Sequence, residues 1–268
     1  MDYIYQKTGL LDSISKLRVP NVFKYMKQLK HLYLPDEYKV CGKLELANLS
    51  YLQTLVNVQP KTIQIPTWFE LNRLRVLKVR NNKRAQGAMQ KLILSCPLVE
   101  KLNLHCHMKK LLEAHQFSLN LVKLTLCDTC LEEDPMPTLE KLPKLKILRL
   151  LGCFALGPFA VVRAFSGKDM FCSKGGFPLL QHLRLSWLDK LEEWRVEEGA
   201  MPSLCRLEIS CCMNLKTIPD GLRFITTLRE LVIYQMPKSF KDRLEEGGQD
   251  FDKVKHVPSR EFQLCDGE

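Results

Sequence analysis

The chain has 268 residues, 46% of them hydrophobic and 26% charged, a composition that excludes an intrinsically disordered protein. Its 40 Lys and Arg against 30 Asp and Glu give a formal net charge of +10, which favours an acidic partner if the surplus lies on one face. The most apolar window, 145–162, is interrupted by Lys146, Arg149 and Pro158, so no membrane span is predicted.

One pattern of leucines recurs along most of the chain. Its clearest copy is Leu142-Pro-Lys-Leu145-Lys-Ile-Leu148-Arg-Leu150-Leu-Gly-Cys153, the signature of a leucine-rich repeat in which x-L-x-L-x forms a short strand. The position of Leu148 returns at Leu32, Leu55, Leu77, Leu102, Leu124, Leu183, Leu207 and Leu231. The sequence therefore predicts an α/β leucine-rich-repeat solenoid of about 9–10 repeats, a curved horseshoe with a parallel β-sheet on the concave face and an irregular or short-helical convex side.

The repeat frame divides the chain into three parts. Residues 1–25 lack a complete frame and are predicted to be a degenerate first repeat or an N-terminal cap, which the open end of a solenoid needs. The repeats occupy 26–239, where the copy at Leu55 has Asn57 in place of the second strand leucine, so its register stays open. Residues 240–268 turn polar and are predicted to cap the last repeat or to fray.

The interval 151–176 is about ten residues longer than the equivalent part of the other repeats. It is rich in glycine, which marks turns rather than a continuous helix. Two interpretations are open. The interval is a loop that projects from one face, and such loops often bind partners, or it is a drifted repeat whose length is tolerated because loop entropy grows slowly.

The outward positions of the strands form the concave surface, because side chains alternate along a strand. Lys or Arg stands in every strand from Lys78 to Arg206, whereas the only carboxylates at these positions are Glu208 and Glu230. We predict a basic concave strip that becomes mixed and partly aromatic in the last two repeats; ordinary solvated positions would carry both signs more evenly. The candidate partner-binding residues are Tyr33, Lys78, Arg80, Lys101, Lys123, Arg149, His182, Arg184, Arg206 and Tyr234.

No catalytic or cofactor-binding motif is recognised. Gly167-Lys168 lacks the earlier glycine of a phosphate-binding loop, and no Ser-His-Asp or paired-carboxylate arrangement stands out. We therefore predict a protein that is not an enzyme and has no catalytic or cofactor-binding residues.

Histidine and cysteine side chains can bind zinc. The sequence has two groups of them one repeat apart, His105-Cys106-His107 and Cys127-x-x-Cys130. His105 and Cys127 occupy equivalent outward positions, however, while His107 and Cys130 fall in turns, so we predict no metal site. The 11 cysteines are expected to be reduced thiols of the cytoplasm, or of the nucleus.

Details beyond the frame resemble one family. Phe177-Pro-Leu-Leu-Gln-His-Leu-Arg-Leu185, Met201-Pro-Ser-Leu-Cys-Arg-Leu-Glu-Ile209 and the ending from Pro237 to Pro258 resemble the leucine-rich repeats of plant intracellular immune receptors, the coiled-coil, nucleotide-binding, leucine-rich-repeat disease resistance proteins. The resemblance implies a non-catalytic module that recognises a pathogen effector or a guarded host protein and holds the receptor inactive through its nucleotide-binding module. ADP or ATP would belong to that module, so no cofactor is implied in this chain, which we expect to be a truncated relative or a separated repeat domain.

Two other functions stay open. Cys96-Pro-Leu-Val-Glu-Lys-Leu102 also resembles the substrate-recruiting repeats of a ubiquitin-ligase adaptor, although an F-box-like N-terminal segment is not recognised. A basic nucleic-acid binder would lose affinity steeply with salt. Few aromatic residues interleave with the basic positions, so the expected partner is a protein with an acidic surface and not a nucleic acid.

Overall fold

The computed structural model describes residues 17–36, 38–64, 66, 70–81, 86–154, 161–162 and 164–265. Its strands are β1 Leu17–Val19, β2 His31–Tyr33, β3 Tyr38–Val40, β4 Leu44–Glu45, β5 Thr54–Val58, β6 Ile63–Gln64, β7 Val76–Asn81, β8 Lys101–Cys106, β9 Lys123–Cys127, β10 Ile147–Leu151, β11 Cys153–Phe154, β12 Val161–Val162, β13 Asp169–Cys172, β14 His182–Ser186, β15 Glu193–Val196, β16 Arg206–Ser210, β17 Glu230–Tyr234 and β18 Ser259–Gln263. The α-helices are α1 Gln86–Leu94, α2 Met136–Leu139 and α3 Lys238–Leu244, and short 3-10 turns lie at Phe23–Tyr25, Pro60–Thr62, Ala114–Gln116, Asp220–Phe224 and Phe251–Lys253.

Successive repeats place their strands side by side in a 10-stranded sheet, in the order β2-β5-β7-β8-β9-β10-β14-β16-β17-β18. All neighbours are parallel. Leu148 pairs with Leu124 on one side and with Leu183 on the other, and the same register runs from Leu32 to Leu231. The predicted leucine-rich-repeat solenoid is confirmed.

The strand leucines join into one core. In β10, Leu148 and Leu150 are fully buried, whereas Ile147, Arg149 and Leu151 are half-buried on the other face. Because strands lie about 4.8 Å apart and the return segments need more room, the stack bends with this outward face on its concave side. The alternation in the sequence therefore decides which side chains are scaffold and which are surface.

The convex side is irregular, as predicted. It holds the three short helices and the parallel two-stranded pairs β1–β3, β4–β6 and β13–β15. Of the predicted N-terminal segment 1–25, residues 1–16 lie outside the described residues, and the rest contains β1 and the turn Phe23–Tyr25. Within the described part of the chain, no helix is both long enough and apolar enough to cross a bilayer.

A bulge resolves the register of β5. Val58, and not Asn57, pairs with Val79 of the next strand, and Asn57 has a φ of 60°. Asparagine is one of the few residues that adopt this left-handed conformation at low cost, and one extra residue in a strand is a β-bulge. The Asn57 amide donates a hydrogen bond to Asp36 Oδ1 at 2.9 Å, so Val58 takes the core position.

The long interval combines an antiparallel pair with an ordinary return segment. Strands β11 and β12 pair directly after β10, and residues 155–160 between them lie outside the described residues. Leu131 then forms a parallel bridge with Phe165, and β13 pairs with β15 at the usual repeat spacing. The additional length therefore lies before Phe165, in the stretch that carries the antiparallel pair.

Two carboxylates of the preceding repeat hold this return segment. Asp134 accepts a hydrogen bond from the Phe171 N–H at 2.8 Å, and burial raises the pKa of its carboxyl group. Glu140 accepts bonds from the hydroxyl and the N–H of Ser173 at 2.6 and 2.9 Å. A Cβ on Gly176 would lie 2.5 Å from Glu140 Oε2, so this glycine permits close packing as well as a turn.

The ending predicted over 240–268 as a cap or tail contains most of helix α3, which begins at Lys238. It also contains strand β18, which extends the sheet beside β17 in the repeat register. Val254, Val257 and Cys265 are buried. The stretch Val254-x-x-Val257-x-x-Arg260-x-Phe262-x-x-Cys265 is thus a further copy of the frame with Arg in the third leucine position. The described part of the ending covers the last predicted repeat with one more.

An ion network attaches this last copy to its neighbour. The buried Asp250 carboxylate lies 2.6 Å from Arg243 Nε and 2.8 Å from Lys253 Nζ. Lys253 also reaches Asp220 Oδ1 at 2.8 Å, and this contact lowers the pKa of Asp220. Because Asp220 begins a turn of the preceding repeat, the network joins the two convex segments.

Candidate partner-binding surface

All ten predicted partner-binding residues lie on outward positions of the sheet, and the parallel register sorts them into three rows that run across the strands. The first row holds Lys101, Lys123, His182 and Arg206. The second row holds Tyr33, Lys78, Arg149 and Arg184, and the third holds Arg80 and Tyr234. Rows are about 7 Å apart, because they are separated by two residues along each strand.

The middle of the surface carries cations that have no ion partner among the described residues. The side chains of Lys78, Lys101 and Arg149 form no ion pair or hydrogen bond with another residue in the described part of the chain. Between Lys78 and Arg149 the second row continues with the uncharged Asn103 and Thr125. Strands β7 to β10 therefore present a basic patch formed by Lys78, Lys101 and Arg149, which we call the central patch.

The C-terminal end of the surface is balanced. Arg206 Nε donates to Glu208 Oε1 at 2.6 Å, and the same guanidinium bonds Glu230. Glu208 Oε2 also lies 3.5 Å from Arg184 Nε. The hydrogen bond to Glu208 is the main reason why the pKa of Arg206 is raised. The mixed character predicted for the last two repeats takes the form of this network, which reaches back to Arg184 on β14.

The N-terminal end is also paired. Arg80 Nη1 lies 2.8 Å from Asp36 Oδ2, so the charge of this predicted partner-binding residue is neutralised within the chain. Tyr33 is 68% exposed and Tyr234 is half-buried, and they stand at opposite ends of the sheet. The two aromatic residues therefore belong to separate parts of the surface, on either side of the central patch.

A shallow depression of ≈ 470 Å³ lies where β10 meets β14, at the edge of the central patch. Its lining includes Ile147, Arg149, His182, Arg184 and Glu208. It adjoins the strand that precedes the long interval.

The structure groups the predicted metal-ligand types differently from the sequence motifs. His105 and Cys127 are paired in register, and Asp128 joins them, so that one ligand atom from each lies within 4.8 Å of the others. His107 and Cys130 are not in this group. His105 Nε2 lies 2.7 Å from Asp128 Oδ2, a hydrogen-bonding distance that accounts for the approach of those two residues without a metal.

Two carboxylates at the predicted partner-binding surface were not identified from the sequence. Asp36 follows β2 and reaches Arg80 on β7. Asp128 follows β9 with a φ of 53°, which directs its side chain back toward His105. The frame places strand residues only, so a residue after the strand whose direction depends on a left-handed backbone carries no signal in that frame.

Comparison with known proteins points to one group. No protein-family model matches the chain. It is 36% identical over 279 residues to probable disease resistance RPP8-like protein 2 of Arabidopsis thaliana, a match that covers 93% of this chain and 30% of that protein. Disease resistance protein RPP8 (36%, covering 96% of the chain and 30% of the relative) and probable disease resistance protein RXW24L (36%, covering 91% and 29%), both from Arabidopsis thaliana, match similarly. The chain spans less than a third of the length of these relatives.

Among solved structures, an internalin from Listeria monocytogenes is 16% identical, with 84% of this chain and 75% of that chain covered at a TM-score of 0.38. The fold assignment rests on the strand register and burial of this chain and not on that likeness.

Proposed function

Because the chain is a leucine-rich-repeat homologue of the RPP8-like plant disease resistance proteins, we propose that it is a non-catalytic protein-recognition module of plant defence. It binds a pathogen effector, a guarded host protein or the nucleotide-binding module of a receptor, and it acts in the cytoplasm. ADP or ATP is bound by that receptor module and not by this chain. The chain spans less than a third of its relatives, so its part in a complete receptor belongs to the proposal.

The observation that carries the proposal is the central patch between two balanced ends. Lys78, Lys101 and Arg149 stand on strands of one sheet, so the sheet fixes the positions from which their side chains extend. Such a pattern attracts an acidic surface over a distance of about 8 Å at physiological ionic strength. The partner is therefore a protein with an acidic patch.

The test is proximity labelling in plant tissue, with and without pathogen challenge. The wild type is compared with the triple variant Lys78→Glu, Lys101→Glu, Arg149→Glu. The control is Lys141→Glu, Lys190→Glu, Lys238→Glu, which makes the same change in net charge at exposed positions in turns and at the start of α3. We expect the labelled partner to disappear with the first variant and to remain with the control.

Equal labelling with both variants would show that the central patch is not the binding surface. If ubiquitin-ligase subunits are the proteins that depend on the patch, the chain instead recruits substrates for a ubiquitin-ligase adaptor.

A further inference from the structure

Two arginines face each other at the depression. Arg149 of β10 and Arg184 of β14 are paired in register in the second row. Like charges directly opposite on neighbouring strands destabilise a sheet. Arg184 has a carboxylate only on its far side, at Glu208, and Arg149 has none within the described residues. The pairing of these two arginines therefore does not stabilise the sheet.

Arg184, which lines this depression, also carries a shielded hydrogen-bond donor. Arg184 Nε is shielded from solvent, yet it has no hydrogen-bond partner among the described residues, since Glu208 Oε2 at 3.5 Å is an ion-pair contact only. Buried polar groups are almost always hydrogen-bonded, and an exception calls for an explanation. The Arg184 side chain as a whole is 37% exposed, so a partner carboxylate can approach the guanidinium and also separate the two like charges.

The local charge fits one carboxylate. Arg149, Arg184 and Arg206 contribute three positive charges here, and Glu208 and Glu230 contribute two negative charges through their ion pairs. One positive charge remains, which matches a carboxylate and not a doubly charged phosphate. The planar guanidinium fork also fits a carboxylate with two parallel hydrogen bonds.

Apolar side chains flank the cation along its own strand. Ile147 and Leu151 lie two residues before and after Arg149, on the same face, and both are half-buried. In an extended peptide, side chains at positions i−2, i and i+2 share one face with nearly the same spacing. A segment that runs along β10 would therefore place apolar, acidic and apolar side chains over Ile147, Arg149 and Leu151.

We propose that Arg149 and Arg184 bind the carboxylate of one Glu or Asp in an extended segment of the partner protein, and that the apolar residues two positions away on each side contact Ile147 and Leu151. The anchor motif of the partner is apolar-x-acidic-x-apolar. This inference rests on the proposed function. It narrows the acidic partner to a protein with one Glu or Asp that has an apolar residue two positions before it and another two positions after it.

The experiment titrates the full chain with a capped peptide containing Leu-Ser-Glu-Ser-Leu, and follows the arginine Nε–Hε signals by NMR. The same peptides with Gln or with phosphoserine in place of Glu are the comparisons. We expect the Arg149 and Arg184 signals to move with the Glu peptide and the Gln peptide to bind at least about tenfold more weakly, as for the loss of a charge-assisted hydrogen bond.

Two variants test whether Arg149 is the residue that binds the peptide carboxylate. Arg149→Gln removes a like-charge contact, so the chain is expected to fold, which circular dichroism checks, and the Glu peptide should bind about tenfold more weakly. The matched control Lys141→Gln removes an exposed cation in a turn outside the central patch and should leave peptide binding unchanged.

Equal binding of the Glu and Gln peptides, or undiminished binding to Arg149→Gln, overturns the anchor. Tighter binding of the phosphoserine peptide overturns the choice of a carboxylate. In either case the proposed function still holds if the triple variant loses its partner in plant tissue. Equal labelling by the triple variant and its control would contradict the proposed function itself.

Discussion

Arg206 donates a hydrogen bond to Glu208 at 2.6 Å, and this pair marks where the basic surface ends. The second oxygen of Glu208 lies toward Arg184 on the neighbouring strand. One carboxylate thus reduces the positive potential of two guanidinium groups, and the sheet changes from basic to balanced between β10 and β16. The charge pattern of the concave face is set by these contacts as well as by the number of basic residues.

Replacing Glu208 by Gln should extend the basic surface. The substitution releases Arg184 and leaves Arg206 with Glu230 alone, so affinity for an acidic protein partner should rise by roughly 1 kcal/mol, or about fivefold, with a steeper dependence on salt. Binding measured over a series of salt concentrations checks this. Glu193→Gln is the control, because it removes the same charge from an exposed pair with Arg195 on β15. Equal effects of the two substitutions would contradict the result expected for the concave face.

Gly221→Ala should destabilise the chain by about 1–3 kcal/mol, the usual cost of overpacking. A Cβ at this position would lie 2.1 Å from Val196 O, and backbone cannot move aside as a side chain can. Gly87→Ala is the matched control, since nothing lies within 4 Å of its Cβ and alanine favours the helix by about 0.5–1 kcal/mol. Urea unfolding measures both; a wild-type midpoint for Gly221→Ala would refute the close approach.

Asp250→Ala should cost roughly 3 kcal/mol, because it leaves Arg243 and Lys253 without their shared carboxylate in a largely buried network. Asp252→Ala breaks only an exposed contact with Lys255 and should cost much less, because solvent screens an exposed ion pair. Thermal unfolding of the two variants gives the comparison. Similar melting temperatures would mean that the network does not attach the last repeat.

Thiol reactivity should separate the cysteines by burial. Burial raises the pKa of Cys96, Cys106, Cys172 and Cys212 to about 12, so almost none of each is the reactive thiolate at pH 8. Cys41 is exposed. Native alkylation followed by mass spectrometry should modify Cys41 early and these four only after unfolding, and early modification of any of the four would contradict their burial.

Much of the fold follows from the leucine frame. Alternation has a period of two, so the leucine frame at Leu148 predicts the face of each residue in a regular strand, and it places Arg149 outward. The last copy is obscured because Arg260 stands where the third leucine is expected, although Val254, Val257 and Cys265 keep the other positions. A search that allowed one polar substitution would have found it.

The leucine frame does not predict which cations of the surface are paired with a carboxylate. The frame shows that Arg80 points outward, but its pairing with Asp36 joins β7 to a residue beyond the end of β2. Which cations remain unbalanced depends on side-chain rotamers and on loop backbone conformations. The bulge at Asn57 is of the same kind, because its register depends on a single left-handed residue.

Lysine footprinting of the purified chain, alone and in complex with its captured partner, tests the account most directly. Acylation of each lysine is quantified by mass spectrometry. We predict that Lys78 and Lys101 of the central patch are protected in the complex, whereas Lys141 and Lys190 react as they do in the free chain. Protection of Lys141 and Lys190 with unchanged reaction of Lys78 and Lys101 would contradict recognition through the concave face.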